Sequence, residues 1–493
     1  MACGVLRKVS GMARRVIRYQ QRATAGDTLV EPTPLQQRFA AIRAALDVPG
    51  DFPPEVLVEA AAAAADLPDR DETSAPFLTV DPPGSLDLDQ AMLLERDGAG
   101  YRVRYAIADV PAFVAPGGAL DAESRRRGQT IYCPDLRVPL HPPVLSDGAA
   151  SLLPGETRPA FVWDMRLNSD GDETGVEVYR AMVRSRDRLD YGGVQQAIDG
   201  GTDDERLVLL KEIGAKRIEL ERARGGASLP MPEQEVTDDG HGNYVLAFRP
   251  ALDAEDWNAQ ISLMTGMAAA EMMLHGQVGI LRTMAPPDHG AVNRFRRQAR
   301  ALGVTWPAEA LYGDFLRSLD RTNPKHLALI HEATALFRGA GYTPFEGAVP
   351  EVTLHAAVAA PYAHVTAPLR RLVDRFGLVI CESLSSGADV PTWVRQALTS
   401  LPAIMADSDR RASAVDRACT DAAEAAAMAS RVGQTFAGSV VDLNDSGMPV
   451  VQLFDPAIVA QAAGHARAGD EVQVTVTGVD VGAGTMSLQV VSG

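Results

Sequence analysis

The chain has 493 residues, 46% of them hydrophobic and 23% charged, so it can bury a large core and is not a disordered polymer. Its formal net charge is −17, which argues against a protein that coats nucleic acid over its whole surface but leaves room for a local basic channel. No stretch nears the roughly 20 apolar residues that a membrane helix needs, so no membrane partner is expected.

Residues 1–22 carry Arg7, Lys8, Arg14, Arg15, Arg18 and Arg22 and no acid. They read as a basic tail, with an RNA-tethering arm as the alternative; no long apolar stretch follows to make a secretory signal. Residues 23–75 read as a short helical region. LQQRFAAIRAAL has apolar residues at helical spacing, and PPEVLVEAAAAAADLP opens on proline and stops at Leu-Pro. From residue 76 the pattern turns to strands in APFLTVD, YRVRYAIADV and PAFVWDMRL, broken by Pro, Gly and Asp. Residues 191–235, 251–285, 291–340 and 368–432 read mainly as helix, so 76–432 is expected to be one large mixed α+β domain. Residues 433–493 show short strands between Gly and Asp turns, with Val472, Val474 and Val476 in strict alternation. That pattern suits a small all-β barrel of the five-stranded OB type.

The four cysteines, Cys3, Cys133, Cys381 and Cys419, have no CxxC spacing. Neither a disulfide framework nor a structural zinc is expected, and the thiols read as core or incidental in a reducing cytoplasm.

The segment TVDPPGSLDLDQAM, residues 79–92, concentrates acids. Asp81 ends an apolar strand, Pro82, Pro83 and Gly84 force a loop, and Asp87 and Asp89 stand two apart, on one side of an extended chain. Three hard oxygen donors at one point suit Mg²⁺ or Mn²⁺, which would activate water and neutralise a scissile phosphate. An Asp-rich turn with no metal is the plainer alternative. In PYAHVTAPLRRLVDRFG, residues 361–377, Pro368 fits the first position of a helix with Thr366 as its cap. Arg370, Arg371, Asp374 and Arg375 then fall on the first turns, with Arg371 and Arg375 on one face and Arg370 and Asp374 on another. One arginine there could clamp a phosphate; a solvated basic face is the alternative.

Together these segments resemble the catalytic domain of the ribonuclease II / ribonuclease R family. TVDPPGSLDLDQA resembles its TxDxxxxxDxDDA motif, YRVRYAIADVPAFV its IADV strand, TIYCPDLRVPLHPPVLSDGAASLLPGETRPAF its Tyr-x-Pro and Leu-Ser segment, RLDYGGVQ a helix start, and YAHVTAPLRR its YxHFTSPIRR motif. The order holds over about residues 76–385. The resemblance implies an RNB-type catalytic domain followed by an OB barrel, and a Mg²⁺-dependent (or Mn²⁺-dependent) enzyme that hydrolyses single-stranded RNA from its 3′ end to nucleoside 5′-monophosphates. It implies Asp81, Asp87, Asp89 and Gln90 around the metal, Asp89 and Arg370 as the catalytic pair, and Tyr132, Tyr191, Thr366 and Arg371 along the RNA. A monomer acting in the cytoplasm is implied as well.

The sequence also departs from the pattern. Gln90 stands where the family usually has Asp, which brings an oxygen but no charge. Met231 stands near where the family places a second stacking aromatic, and Met stacks less well. The usual pair of N-terminal cold-shock barrels is not visible in residues 1–75. The 434–493 stretch holds six acids against Arg467 as its one base, so a structural role is expected for it, with stacking on Phe436 or Phe454 as the alternative. Arginine groups at 125–127, at 184, 186 and 188, and at 294, 296, 297 and 300 are candidates for an RNA path or for solvated faces. A catalytically impaired RNA-binding relative, and a phosphoesterase acting on a small nucleotide, are the competing functions.

Overall fold

The computed structural model describes residues 17–21, 33–62, 66–227, 233–238, 244–249, 251–320, 323–333, 336, 339–444, 446–453, 455–456 and 458–492. The tail of residues 1–16, Met231 and Phe454 lie outside them.

The lead-in region is helical in two pieces. Thr33 caps the helix Pro34–Ala45 through a capping box with Gln36, and Leu35, Phe39 and Ile42 are buried on one stripe. A second helix, Pro54–Ala62, follows.

The strand-rich stretch then closes on itself. Strands Phe77–Asp81, Gln90–Asp97, Gly100–Ala108, Thr157–Leu167 and Glu173–Asp190 form a closed barrel in that order. Neighbours pair antiparallel except at the closure, where Phe77–Asp81 runs parallel to Glu173–Asp190. The alternation along each strand feeds two cores. Leu78, Val80, Met92, Leu94, Val103 and Tyr105 join the largest cluster with the surrounding helices. Phe77, Ala91, Leu93, Ala106, Ala160 and Val162 point the other way, into a cluster completed by Val56 and Leu120.

Helices cover the first of those faces. Asp253–Gly276 is buried on nearly every side, as its lack of a polar face predicts. Gly266 lets the following chain in: a Cβ there would stand 2.2 Å from the Tyr362 ring and 2.7 Å from the Ala363 carbonyl. This close approach seats the segment that carries the arginines.

The long helix Leu401–Ala429 packs against the lead-in helix and against the C-terminal barrel. That barrel is formed by Thr435–Leu443, Pro449–Leu453, Val459–Ala463, Glu471–Asp480 and Thr485–Ser492. Val472, Val474 and Val476 all point into its core. The mixed α+β architecture with a closed five-stranded C-terminal barrel thus agrees with the sequence reading. No helix among the described residues is long and apolar enough to cross a membrane.

One local expectation fails. Residues 366–371 are not the first turn of a helix: the helix runs Leu372–Ser386, and Arg371 precedes it in extended conformation. The reason is competition for Asp374. Its carboxylate accepts from the Ala367 N–H at 2.7 Å and grips Arg371 through two bonds, which folds the chain back before the helix starts. Gln129 and Arg371 form an isolated antiparallel bridge, with Thr130 N–H donating to the Arg370 carbonyl and Leu372 N–H to that of Gly128. Thr366 therefore caps nothing, and Arg370 and Asp374 do not share a helix face.

Candidate active site

The site is built at the parallel seam of the first barrel. The register sets Val80 opposite Leu189 and Asp81 opposite Asp190. Asp190 caps the next helix, Tyr191–Asp199, by accepting from the Gly193 N–H. Tyr191 is thereby carried to the level of Asp81, and its hydroxyl accepts from Asn258 at 3.2 Å. Beyond Asp81 the chain loops out; Gly84 takes φ of +82°, which suits glycine. The return leg is fixed by Ser151, whose hydroxyl accepts from the Leu88 N–H at 2.9 Å and donates to the Leu86 carbonyl at 2.6 Å.

Asp81, Asp87, Tyr132, Arg137 and Arg370 line one cavity of about 560 Å³. Tyr132 is 52% exposed there, so its ring is available for stacking. Asp89 stands behind the wall, 3% exposed. Its Oδ1 accepts from the Leu369 N–H at 2.7 Å, and its Oδ2 lies 3.3 Å from Arg370 Nε. Arg137, which the sequence reading did not single out, pairs with Asp87 and with Asp147, both at 2.5 Å. Its signal was present in CPDLRVP, a cation five residues beyond Tyr132, but nothing in the spacing told which acid it would meet.

Thr366, Arg371, Gln90 and Tyr191 do not line this cavity. Thr366 is 2% exposed and its hydroxyl bonds that of Ser262. Arg371 is closed in its pair with Asp374. The expectation that Gln90 supplies an oxygen ligand does not fit its placement. Its Oε1 accepts from the Tyr105 hydroxyl at 2.8 Å and its Nε2 donates to the Thr366 carbonyl at 2.6 Å. A carboxylate could not make that second bond, because it has no hydrogen to give. The glutamine thus ties the first barrel to the arginine segment.

Several other expected candidates are engaged in structural contacts. Arg125, Arg126 and Arg127 pair with Asp121 and Glu123, and Arg375 is buried against Asp121. Arg184 and Arg186 bond Thr157 and the Thr73 carbonyl. Asp109 caps a short turn and holds Arg180 at 2.7 Å, the strand-end role rather than a ligand's. Arg294, Arg297 and Arg300 are exposed on the helix His289–Ala301.

Two acids of the site are held above the ordinary carboxylate range. Burial raises the Asp81 carboxyl to about 6, with Asp87 adding to the rise and Arg370 opposing it. Burial likewise raises Asp89 to about 8, against the pull of Arg370 and the Leu369 N–H. The Oδ2 of Asp81 is buried and has no hydrogen-bond partner. An orphaned carboxylate oxygen and two acids reluctant to ionise are what a nearby divalent cation would relieve. The donor set therefore fits a hard cation chemically. Even so, no group of three or more His, Cys, Asp or Glu among the described residues stands close enough to form a ready ligand cluster.

The RNB domain family pattern matches residues 69–379, which contain the acids, the tyrosines and the arginines of this site. The chain belongs to the RNB-domain family. The pattern of the RNase II-type exonuclease C-terminal S1 domain matches residues 434–491, the second barrel. Over 338 residues the chain is 30% identical to Ribonuclease R of Escherichia coli (strain K12), a match covering 65% of this chain and 40% of that relative. The chain thus spans well under two thirds of that relative's length. The fold is similar to that of the apo form of Mycoplasma genitalium RNase R, with a TM-score of 0.83 at 18% identity, covering 93% of this chain and 78% of that one. It is also similar to yeast Ssd1, described as a pseudonuclease, with a TM-score of 0.63 at 17% identity over 84% of this chain and 53% of that one.

Proposed function

We propose that this RNB-family chain is a hydrolytic exoribonuclease that shortens single-stranded RNA from its 3′ end to nucleoside 5′-monophosphates, acting as a monomer in the cytoplasm. The observation that carries the reading is the convergence of Asp81, Asp87, Tyr132 and Arg370 on one cavity, with Asp89 held directly behind Arg370. Acids, a cation and an open aromatic are the parts that phosphodiester hydrolysis at a strand end needs.

In this reading Asp81, Asp87 and Asp89 hold a divalent cation, Mg²⁺ or Mn²⁺. When bound it supplies Lewis-acid charge and an acidified water. The chain's own residues do the rest. Arg370 neutralises the scissile phosphate, and its position is set by Asp89 on one side and by the backbone bond to Thr130 on the other. Tyr132 stacks on a base near the 3′ end, and Tyr191 packs at the terminal nucleotide. Gln90, Thr366, Arg371 and Asp374 act as positioning residues that hold the turn bearing Arg370.

The competing reading is a catalytically impaired RNA-binding relative. It is favoured by the engagement of Gln90 with protein partners and by the absence, among the described residues, of a ready ligand cluster. The deciding experiment is a time course on 5′-labelled single-stranded RNA with Mg²⁺ or Mn²⁺, run beside Asp89→Asn. Progressive shortening with mononucleotide release, lost in the variant, supports the nuclease. RNA bound but intact across metals and salt establishes the impaired relative.

A further inference from the structure

The cavity has a second wall that the proposed hydrolysis leaves unused. Besides the acids and Tyr132 it is lined by Cys133 and Cys419. Cys133 directly follows the short strand Ile131–Tyr132, and its N–H donates to the Leu136 carbonyl at 2.9 Å. Cys419 belongs to the long helix Leu401–Ala429, which packs against that strand. Far apart in sequence and with no motif spacing, the two thiols meet in space. Cys133 packs against the core cluster that contains Cys419, and both are free thiols.

The pair is asymmetric. Cys133 is half-buried at the cavity wall, whereas Cys419 is 1% exposed. The Arg43 guanidinium reaches Cys133 while paired at 2.6 Å with Asp135. The side chain of Cys419, seconded by Arg43, pulls the Cys133 thiol below its ordinary range. Cys133 and burial in turn push the Cys419 thiol up. One sulfur is thus disposed as a nucleophile and the other as its proton-bearing neighbour. Cys381 supplies the contrast: it is fully buried, and its sulfur donates only to the Ala269 carbonyl.

We propose that Cys133 and Cys419 form a reversible disulfide across the cavity wall, making this a thiol-oxidation site beside the RNA-binding tyrosine. With hydrogen peroxide as oxidant, the Cys133 thiolate attacks one peroxide oxygen and the O–O bond breaks. The departing hydroxide takes up the proton that Cys133 gave up and leaves as water. Cys133 is then a sulfenic acid. The sulfur of Cys419 attacks that of Cys133, the S–O bond breaks, and hydroxide leaves with the Cys419 proton as a second water. Two thiols lose two electrons in total and one peroxide gains them. The bond ties the residue next to Tyr132 to the long helix. Resting on the nuclease reading, the further consequence is that the tyrosine can no longer follow the RNA, and cleavage slows several-fold until a thiol reductant restores it.

The test is mass spectrometry of the full chain after a small molar excess of peroxide at neutral pH. The expected result is the loss of two hydrogens, a linked peptide joining Cys133 to Cys419, and reversal by dithiothreitol. Cys133→Ser and Cys419→Ser should each abolish the linked peptide, and Cys381→Ser should keep it. Because Cys419 is a core residue, melting curves show whether its variant folds, and Cys133→Ser serves if it does not. Oxidation that ends in sulfinic or sulfonic acid at Cys133, or a wild-type chain with no linked peptide, overturns the proposal. RNA cleavage is measured on the same reduced and oxidised samples. A reduced protein without cleavage counts against the nuclease reading alone, since the linked peptide is read without RNA.

Discussion

The described residues contain two closed five-stranded barrels, and each has one parallel seam among antiparallel neighbours. In the first, the seam ends at Asp81 opposite Asp190, and Tyr191 follows at once. In the second, the seam pairs Ala462 with Leu488 and Ala463 with Gln489, with no ionisable group in the register. Both barrels bury alternating apolar residues and both lean on helices. The difference is what meets the polar end. The first barrel receives the Thr366–Arg371 segment, pinned to it by Gln90 and Asp89. The second is met by the Ala-rich flank of the long helix, and residues 434–493 carry Arg467 as their one Lys or Arg. A barrel of this kind is a scaffold; chemistry comes with the segment docked on its rim.

The largest expected effects should fall on the first barrel. Asp89→Asn is expected to lower the cleavage rate about 10³-fold, and Arg370→Ala about 10²-fold or more, with melting curves close to wild type. Rates from 5′-labelled RNA check this, and a variant that cuts at the wild-type rate would break the distinction between the barrels. Gln90→Asp comes next. Restoring the acid usual in the family is expected to slow cleavage about 10-fold, because the Thr366 carbonyl would then face a carboxylate and lose its donor. A faster variant would instead return position 90 to the ligand set. In the second barrel, Val474→Ala should destabilise by about 2 kcal/mol and leave kcat unchanged; chemical denaturation and single-turnover kinetics read the two halves.

The smallest effect is on pH dependence. Both carboxyls raised in the fold, Asp81 to about 6 and Asp89 to about 8, penalise the charged form. Their contribution to stability is therefore whole below the ordinary carboxylate range and is lost as pH rises through about 6 and then about 8. Protein treated with EDTA should lose melting temperature between pH 5 and 8.5. Saturating Mg²⁺ should flatten that slope, and so should Asp89→Asn. An unchanged slope in the variant would place its origin elsewhere.

Much of this was legible in the residues. The alternation of Val472, Val474 and Val476 announced the second barrel, and the helical spacing of LQQRFAAIRAAL announced the first helix. The acids of TVDPPGSLDLD were expected on one side because i and i+2 share it; Asp81 and Asp87 do line one cavity, while Asp89 stands behind its wall. What stayed hidden were contacts set by tertiary meeting rather than local period. The arginine segment looked helical from Pro368 onward, yet Asp374 takes the Ala367 N–H and delays the helix. Gln90 looked like a weakened ligand, and only the neighbouring Tyr105 and the Thr366 carbonyl reveal a clamp. Cys133 and Cys419 carry no spacing signal at all.

The bond from Leu369 to Asp89 joins residues 280 positions apart. During synthesis from the N-terminus, the acids emerge long before their arginine. A nascent chain that ends before this point has the barrel and its carboxylates but no Arg370, and Asp89 lacks its N–H donor. The cavity is thus complete only after most of the chain has been made, since Arg370 and the Cys419 end of its lining come last.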